Sequence, residues 1–505
     1  MENMTLEKIA AACQGQLMWG ARAYGDAQAR ESGPSEVFSQ EISCAVLDSR
    51  KMEAGGLFFA NEGANVDGHK FIGQVFDKGA LCVVTEKTPE QVRDQHGIRL
   101  ESWGAYILVE NSLQALKDIA EYYRQQLNIP VVGITGSVGK TSTKEFIASV
   151  LAQKYKVLKT EGNFNNEVGL PLTLLRIRPE HQVAVVEMGI SDFGEMHRLS
   201  KMARPDICVI TNIGQCHLEN LKSRDGILQA KSEIFDFMSE QGYVCVNGDD
   251  DKLASLDVVK GRGVLRFGRS AQGWTGEAGC VAGSGAAGVQ SGRGNHVYAD
   301  AVEDRGLFGS KVTLHIDGEA VEVEVPLPGQ HMVTNAAAAA LVGRVLGLTT
   351  EQIQAGVHRV KAVGGRSHIM QLEKITVIDD CYNANPVSMK AAIDLLSIAR
   401  GRRVAVLGDM FELGENSDAL HAGVGQYAVE KGVEQLICVG ENSRHMYEGA
   451  LEAQKCYEGQ QVCYFPDRES MLEQLPGLLQ EQDTVLVKAS HGMGFDKVVS
   501  FLEEM

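Results

Sequence analysis

The sequence predicts an α/β protein of about three domains, with parallel sheets covered by helices on both faces. Three observations carry this reading. A chain of 505 residues is too long to fold round one hydrophobic core. Short β-branched runs alternate with longer amphipathic stretches, the pattern of a parallel sheet with crossover helices. One such run, Val131 to Thr135, leads into a glycine-rich turn and then into a helical stretch.

Taken in order, residues 1–110 form a small mixed α/β unit, and residues 111–361 and 362–505 form two larger units. Residues 111–127 carry apolar residues at helical spacing and lead into the Val131–Thr135 strand. Further strands are expected at 183–188, 207–211 and 243–247. Residues 271–296, rich in Gly, Ala and Ser, suit a surface insertion. Residues 312–316 and 320–325 flank Asp317-Gly318 and predict a hairpin, with an alanine-rich helix after Asn335. A new α/β series follows, with strands at 375–379, 403–407, 435–439 and 484–488.

Composition narrows the function classes. Hydrophobic content of 44% and charged content of 23% are those of a soluble globular protein. The balance of 48 basic against 66 acidic residues gives −18, which argues against nucleic-acid or anionic-membrane binding. No apolar stretch is long enough for a membrane span, and the first residues lack the pattern of a signal peptide. Eleven cysteines without a C-x-x-C pair suit a reducing cytoplasm better than disulfides or zinc.

The richest segment is Gly136-Ser137-Val138-Gly139-Lys140-Thr141-Ser142. Glycines let backbone N–H groups approach phosphates, and the following helix N-terminus favours negative charge. Lys140 would reach the β/γ-phosphates of a nucleotide and the Thr141 hydroxyl would bind Mg²⁺. Ile134 stands where the usual pattern has its first glycine.

Other candidates sit at strand ends. Glu187 closes the 183–187 strand, at the edge where parallel sheets bind ligands, and is a candidate Mg²⁺ ligand or a strand-end acid paired with a base. His217 follows the next strand at the same edge. Lys231 reads by default as a solvated helix lysine. The amides of Asn163, Asn165 and Asn166 suit either ligand hydrogen bonds or capping. The stretch from Asp379 and Asp380 through Asn383 and Asn385 would either meet a ribose hydroxyl or cap the next helix.

Together these segments resemble the Mur ligase family, the ATP-dependent amide ligases of bacterial cell-wall precursor synthesis. The resemblance is carried by Asp48-Ser49-Arg50, Gly55 to Ala60, Asp67-Gly68-His69, Gly136 to Lys144 and Gly162 to Pro171. It continues through Glu187-Met188-Gly189, Thr211 to Gly214, Ala230 to Ile234, Asp379 to Pro386 and Leu407 to Glu415. The asparagine-rich loop and Tyr382-Asn383-Ala384-Asn385-Pro386 look specific to the branch that adds D-Ala-D-Ala. Cys381 stands where the family usually has serine, and Lys488-Ala489-Ser490-His491 departs from the usual Lys-Gly-Ser-Arg.

The resemblance implies a UDP-substrate domain (1–110), a central ATPase domain (111–361) and a C-terminal Rossmann-like domain (362–505). It implies transfer of the ATP γ-phosphate to the carboxylate of UDP-MurNAc-tripeptide, then attack by the amine of D-Ala-D-Ala on the acyl-phosphate. Thr141 and Glu187 would hold one Mg²⁺, and His217 a second. Lys231 would be carbamylated by CO₂ into an anionic metal ligand, its pKa depressed by neighbouring cations. Asn335 would lie near the adenine, Arg366 and Asp380 near phosphate and ribose, and Ser49 and Arg50 in the UDP pocket. Such an enzyme is expected to be a cytoplasmic monomer with small-molecule partners.

Overall fold

The computed structural model describes all residues except 20–21, 24–34, 64–65, 98–103, 271–295 and 458. Nearly all of the expected 271–296 insertion lies outside the described residues. Three sheets organise the chain, of six, ten and six strands.

The first sheet runs Arg22–Ala23, Gln16–Trp19, Ala105–Leu108, Cys82–Thr85, Leu57–Phe59, Ala45–Val46. Its last four strands are parallel, and Gln16–Trp19 pairs antiparallel with both of its neighbours. The helix Ser112–Gln125 follows, capped by the Asn111 side chain on the Gln114 N–H. Its apolar face, with Leu116, Ile119 and Tyr123, is buried in one core that also holds Leu57 and Val84 of the first sheet and Val186 and Ile210 of the second. The first and second units are therefore joined through a shared hydrophobic layer.

The second sheet is centred on Val131–Thr135, all five residues buried. Parallel neighbours are Val183–Glu187 on one side and Ile207–Ile210 on the other. Register sets Ile134 opposite Glu187 and Thr135 opposite Ile210, so three strand ends emerge together. A wholly buried β-branched run needs cover on both faces, and it has it. Phe146 and Ile147 of the helix Lys140–Leu151 cover one face with the alanine-rich helix Gln330–Val345, and Leu174 and Leu199 cover the other.

The sheet is not parallel throughout. Val297–Asp304, Ser310–Ile316 and Glu319–Val325 extend it as an antiparallel meander, with the expected hairpin at its outer edge. The helix after the glycine turn starts at Lys140. In its polar first turn Lys140 and Ser142 line the cleft, while Thr141 and Thr143 are buried and hydrogen-bonded to Glu187 and Asn335.

The third sheet runs His368–Gln371, Thr376–Asp379, Thr484–Lys488, Arg403–Gly408, Gln435–Val439, Gln461–Phe465. All pairs but the first are parallel. It has its own core on each face, one around Ile393, Leu407 and Met446, the other around Val377, Val487 and Val498. No helix among the described residues is long and apolar enough to cross a membrane.

Candidate active site

A cleft of about 590 Å³ lies between the carboxyl edges of the second and third sheets. Its walls include Ser137, Val138, Gly139, Lys140, Ser142, Asn165, Asn166, Glu187, His217 and Asn335 from the second unit. Arg366, Asp380, Asn383 and Asn385 come from the third. Gly136, Thr141 and Lys231 are buried beside these residues and do not line the cleft themselves. Asn163 is exposed outside it, and Ser49 and Arg50 lie apart on the first unit.

The glycine turn is built for close approach. A Cβ on Gly136 (φ +149°) would sit 1.9 Å from the Thr211 hydroxyl oxygen. Gly136→Ala should therefore displace the turn and cost about 1–3 kcal/mol of stability, read as a lower Tm; an unchanged melting curve would contradict the packing. The N–H groups of Ser137 and Val138 are already taken, by the Asn212 carbonyl (3.1 Å) and side-chain oxygen (3.0 Å). The anion-binding donors are thus those further along. Gly139 caps the helix with φ +84° and offers no side-chain acceptor to the first-turn amides. Asn212 falls within the Thr211 to Gly214 segment but carries no role in the sequence reading, and its signal would be its place two residues after the Ile207–Ile210 strand.

Lys140 Nζ donates to the Gly136 carbonyl at 2.8 Å. Burial holds its pKa below the ordinary lysine value, with Glu187 opposing. The Glu187 carboxylate accepts from Thr141 Oγ1 (3.0 Å) and Asn165 Nδ2 (2.9 Å), one on each oxygen. It pairs with hydroxyl and amide, not with a base, and keeps lone pairs to spare. Among the described residues no group of three or more His, Cys, Asp or Glu converges as a metal cage. The Thr141 and Glu187 oxygens nonetheless fit Mg²⁺, which binds through one or two carboxylates and completes its shell with water and phosphate.

Lys231 is 1% exposed, which overturns its default reading as a solvated helix lysine. Burial brings its pKa down to about 8. Neighbouring cations were expected to be the cause, but desolvation dominates: Lys140 adds a smaller depression and Cys216 opposes it. The lowered pKa raises the fraction of neutral amine, the form that reacts with CO₂.

His217 adopts a left-handed backbone (φ +49°) and its Nδ1 meets Glu412 Oε2 of the third unit at 2.5 Å. That contact keeps the Glu412 carboxyl below the usual range. Arg366 stacks its guanidinium 4.0 Å from the Tyr382 ring centroid. Asp380 accepts from the Ser367 N–H (2.9 Å) and from buried Lys488 Nζ (2.6 Å). Lys488 also donates to the Asn383 carbonyl at 2.9 Å. Asn385 caps the helix Pro386–Ser397, so the capping alternative holds for that residue, while Asp380 is left facing the cleft. Asn166 likewise accepts from the Val168 and Gly169 N–H groups. Asn335 Oδ1 accepts from Thr143 Oγ1 at 2.9 Å, and His491 lies against Tyr382.

Comparison with known proteins agrees with this architecture. Family models described as Mur ligase family catalytic domain, Mur ligase middle domain, and Mur ligase glutamate ligase domain match residues 41–124, 134–343 and 365–491. A UDP-N-acetylmuramoyl-tripeptide–D-alanyl-D-alanine ligase of Bacillus subtilis is 34% identical over 92% of this chain and 93% of its own length. The crystal structure of MurF from Acinetobacter baumannii superposes with a TM-score of 0.81 at 30% identity, covering 99% of both chains. MurF of Thermotoga maritima in complex with ADP superposes at 0.73 and 26% identity, covering 91% of this chain and 97% of that one. Continuous similarity through all three units, not through the glycine turn alone, establishes that the chain belongs to the Mur ligase family, within its UDP-N-acetylmuramoyl-tripeptide–D-alanyl-D-alanine ligase branch.

Proposed function

We propose that this chain joins D-alanyl-D-alanine to UDP-MurNAc-tripeptide at the expense of ATP, through an acyl-phosphate, and that the cleft between its second and third units is where it does so. The observation that carries the reading is the convergence of Lys140, Glu187, His217, Arg366 and Asp380 on that cleft. The physical problem is to bring a carboxylate up to a triphosphate. Positive charge and N–H dipoles must outweigh that repulsion where the phosphoryl group moves.

The first-turn amides after Gly139 receive phosphate oxygens at the helix N-terminus. Lys140 exchanges the Gly136 carbonyl for the β- and γ-phosphates. Thr141 and Glu187 would hold one Mg²⁺, and His217 together with a carbamylated Lys231 would hold a second. When bound, such ions would supply positive charge against the charge developing on the transferred phosphoryl group. Asp380, held by Lys488 and the Ser367 N–H, meets the ribose, and Arg366 meets phosphate with its guanidinium steadied on Tyr382. Asn335 lies near the adenine. Asn163, Asn165 and Asn166 present the peptide end of the sugar substrate, whose UDP moiety rests on the first unit at Ser49 and Arg50. Asn383 and Asn385 border the acceptor side. The working enzyme is a monomer in the cytoplasm, with domain 1–110 for the UDP substrate, 111–361 for ATP and 362–505 for closing the site.

Phosphate release is the direct test. With ATP and UDP-MurNAc-tripeptide, release should require D-Ala-D-Ala and should not be supported by diaminopimelate or glutamate. Turnover with either of those amines, or with none, would reassign the acceptor.

A further inference from the structure

Lys488 closes the strand Thr484–Lys488, which lies between Thr376–Asp379 and Arg403–Gly408 in the third sheet. It is 2% exposed, yet it is among the residues that line the cleft. An ammonium has three hydrogens, and here three oxygens take them. Lys488 Nζ donates to Asp380 Oδ2 at 2.6 Å, to the Asn383 carbonyl at 2.9 Å and to the Asp380 carbonyl at 3.2 Å. No donor is left over for a substrate, so the side chain acts through the groups it holds.

Those groups belong to one loop. Asp380 starts it, with its N–H on the Val487 carbonyl (3.0 Å) and its Oδ1 accepting from the Ser367 N–H (2.9 Å). Asn385 ends it as the cap of the helix Pro386–Ser397. Between them the Tyr382 N–H donates to the Gly365 carbonyl at 3.1 Å, and the Asn383 carbonyl rests on Lys488. Asn383 itself is exposed on the cleft wall. Burying a lysine carries a desolvation cost that only well-placed partners offset. Here one partner is a carboxylate and another is the backbone three residues further on, so moving either strips an acceptor from the same ammonium.

In the reaction proposed above, Asp380 meets the ribose and Asn383 borders the acceptor side. Resting on that reading, we propose that Lys488 is a positioning residue that locks the nucleotide-side carboxylate and the acceptor-side loop into one body, so that the third unit's grip on ATP and its grip on D-alanyl-D-alanine stand or fall together. Without the ammonium, the Asp380 carboxylate loses its counter-charge and repels the triphosphate. The Asn383 carbonyl loses its support at the same stroke, and the loop loses its set shape. UDP-MurNAc-tripeptide, which the same reading seats on the first and second units, depends on neither arm.

The test is steady-state kinetics of the full chain, with each substrate varied in turn. Lys488→Met keeps the reach of the side chain and removes the ammonium. It should raise KM for ATP and for D-Ala-D-Ala by about tenfold each, the loss expected of hydrogen bonds to a charged group. KM for UDP-MurNAc-tripeptide should stay within about twofold of the parent, as for a site that shares no partner with the lysine. Because a stripped Asp380 charge also threatens folding, a second pair is compared: Asp380→Asn alone, and Asp380→Asn together with Lys488→Met. Neither leaves an unpaired carboxylate, and in the first the ammonium keeps three neutral oxygens. Adding the lysine substitution should raise the dipeptide KM about tenfold. An equal dipeptide KM in that pair would overturn the proposal. So would a Lys488→Met variant whose KM rises for ATP alone or for all three substrates alike, or one that only melts earlier with all three constants unchanged. If the parent chain ligates nothing, the ligase reading fails first, and the two failures remain distinct.

Discussion

Lys140→Ala should lower the ligation rate by on the order of 10²–10³, the range for deleting one preorganised charge aimed at a transferring group. The lysine is the second unit's cation on the cleft wall at the glycine turn, and it is held at 2.8 Å from the Gly136 carbonyl, ready to exchange that partner for phosphate. The substitution removes no core packing, because Lys140 lies at the mouth of its helix and outside the buried apolar face. The melting temperature should therefore change little while turnover collapses. Phosphate release at a fixed, saturating ATP concentration measures the effect, and ordinary turnover in this variant would remove Lys140 from the phosphoryl-transfer step.

The second large effect is expected at Lys231. Alanine there should give an enzyme with no measurable ligation, and short carboxylic acids in the assay should restore part of it. The reasoning is chemical. A lysine 1% exposed, with its pKa brought to about 8 by burial, offers a neutral amine to CO₂, and the product is a carboxylate-like group where a cation stood. An added acid can occupy the space left by Lys231→Ala and supply the same oxygens. Full activity without any additive would discard the carbamate. Inactivity that no acid relieves, with an intact fold, would point to a packing role for the side chain.

Much of the fold was legible because buried parallel strands are written as continuous β-branched runs. Val131–Thr135, Ile207–Ile210 and Tyr243–Asn247 fall where the pattern puts them. The glycine turn and the acid at the end of Val183–Glu187 were legible for the same reason, since strand ends of one sheet share one edge. The antiparallel extension was half legible: its hairpin shows alternation, but nothing in the sequence says onto which sheet it adds. The burial of Lys231 was not legible from physics, since a lysine in an amphipathic helix looks the same whether its face meets water or a neighbouring cation site. Asn212 and Glu412 lie in quoted segments but received no role, because their contacts are made 74 and 195 residues away, at Val138 and His217. The polar contacts of the site are similarly a property of the assembled cleft, as those of Asp380 with Lys488 and the Ser367 N–H show.

The cleft has one wall from each of two units with separate cores, so a nucleotide bound as proposed would be a rivet as well as a fuel. On the proposed reading, a nucleotide caught first by the glycine turn would present its sugar to Arg366 and Asp380 at a high local concentration, so the second grip would need no further search through solution. Loading would thus draw the two walls together, and each turnover would begin with a chain mechanically more of one piece than the chain that released the previous product.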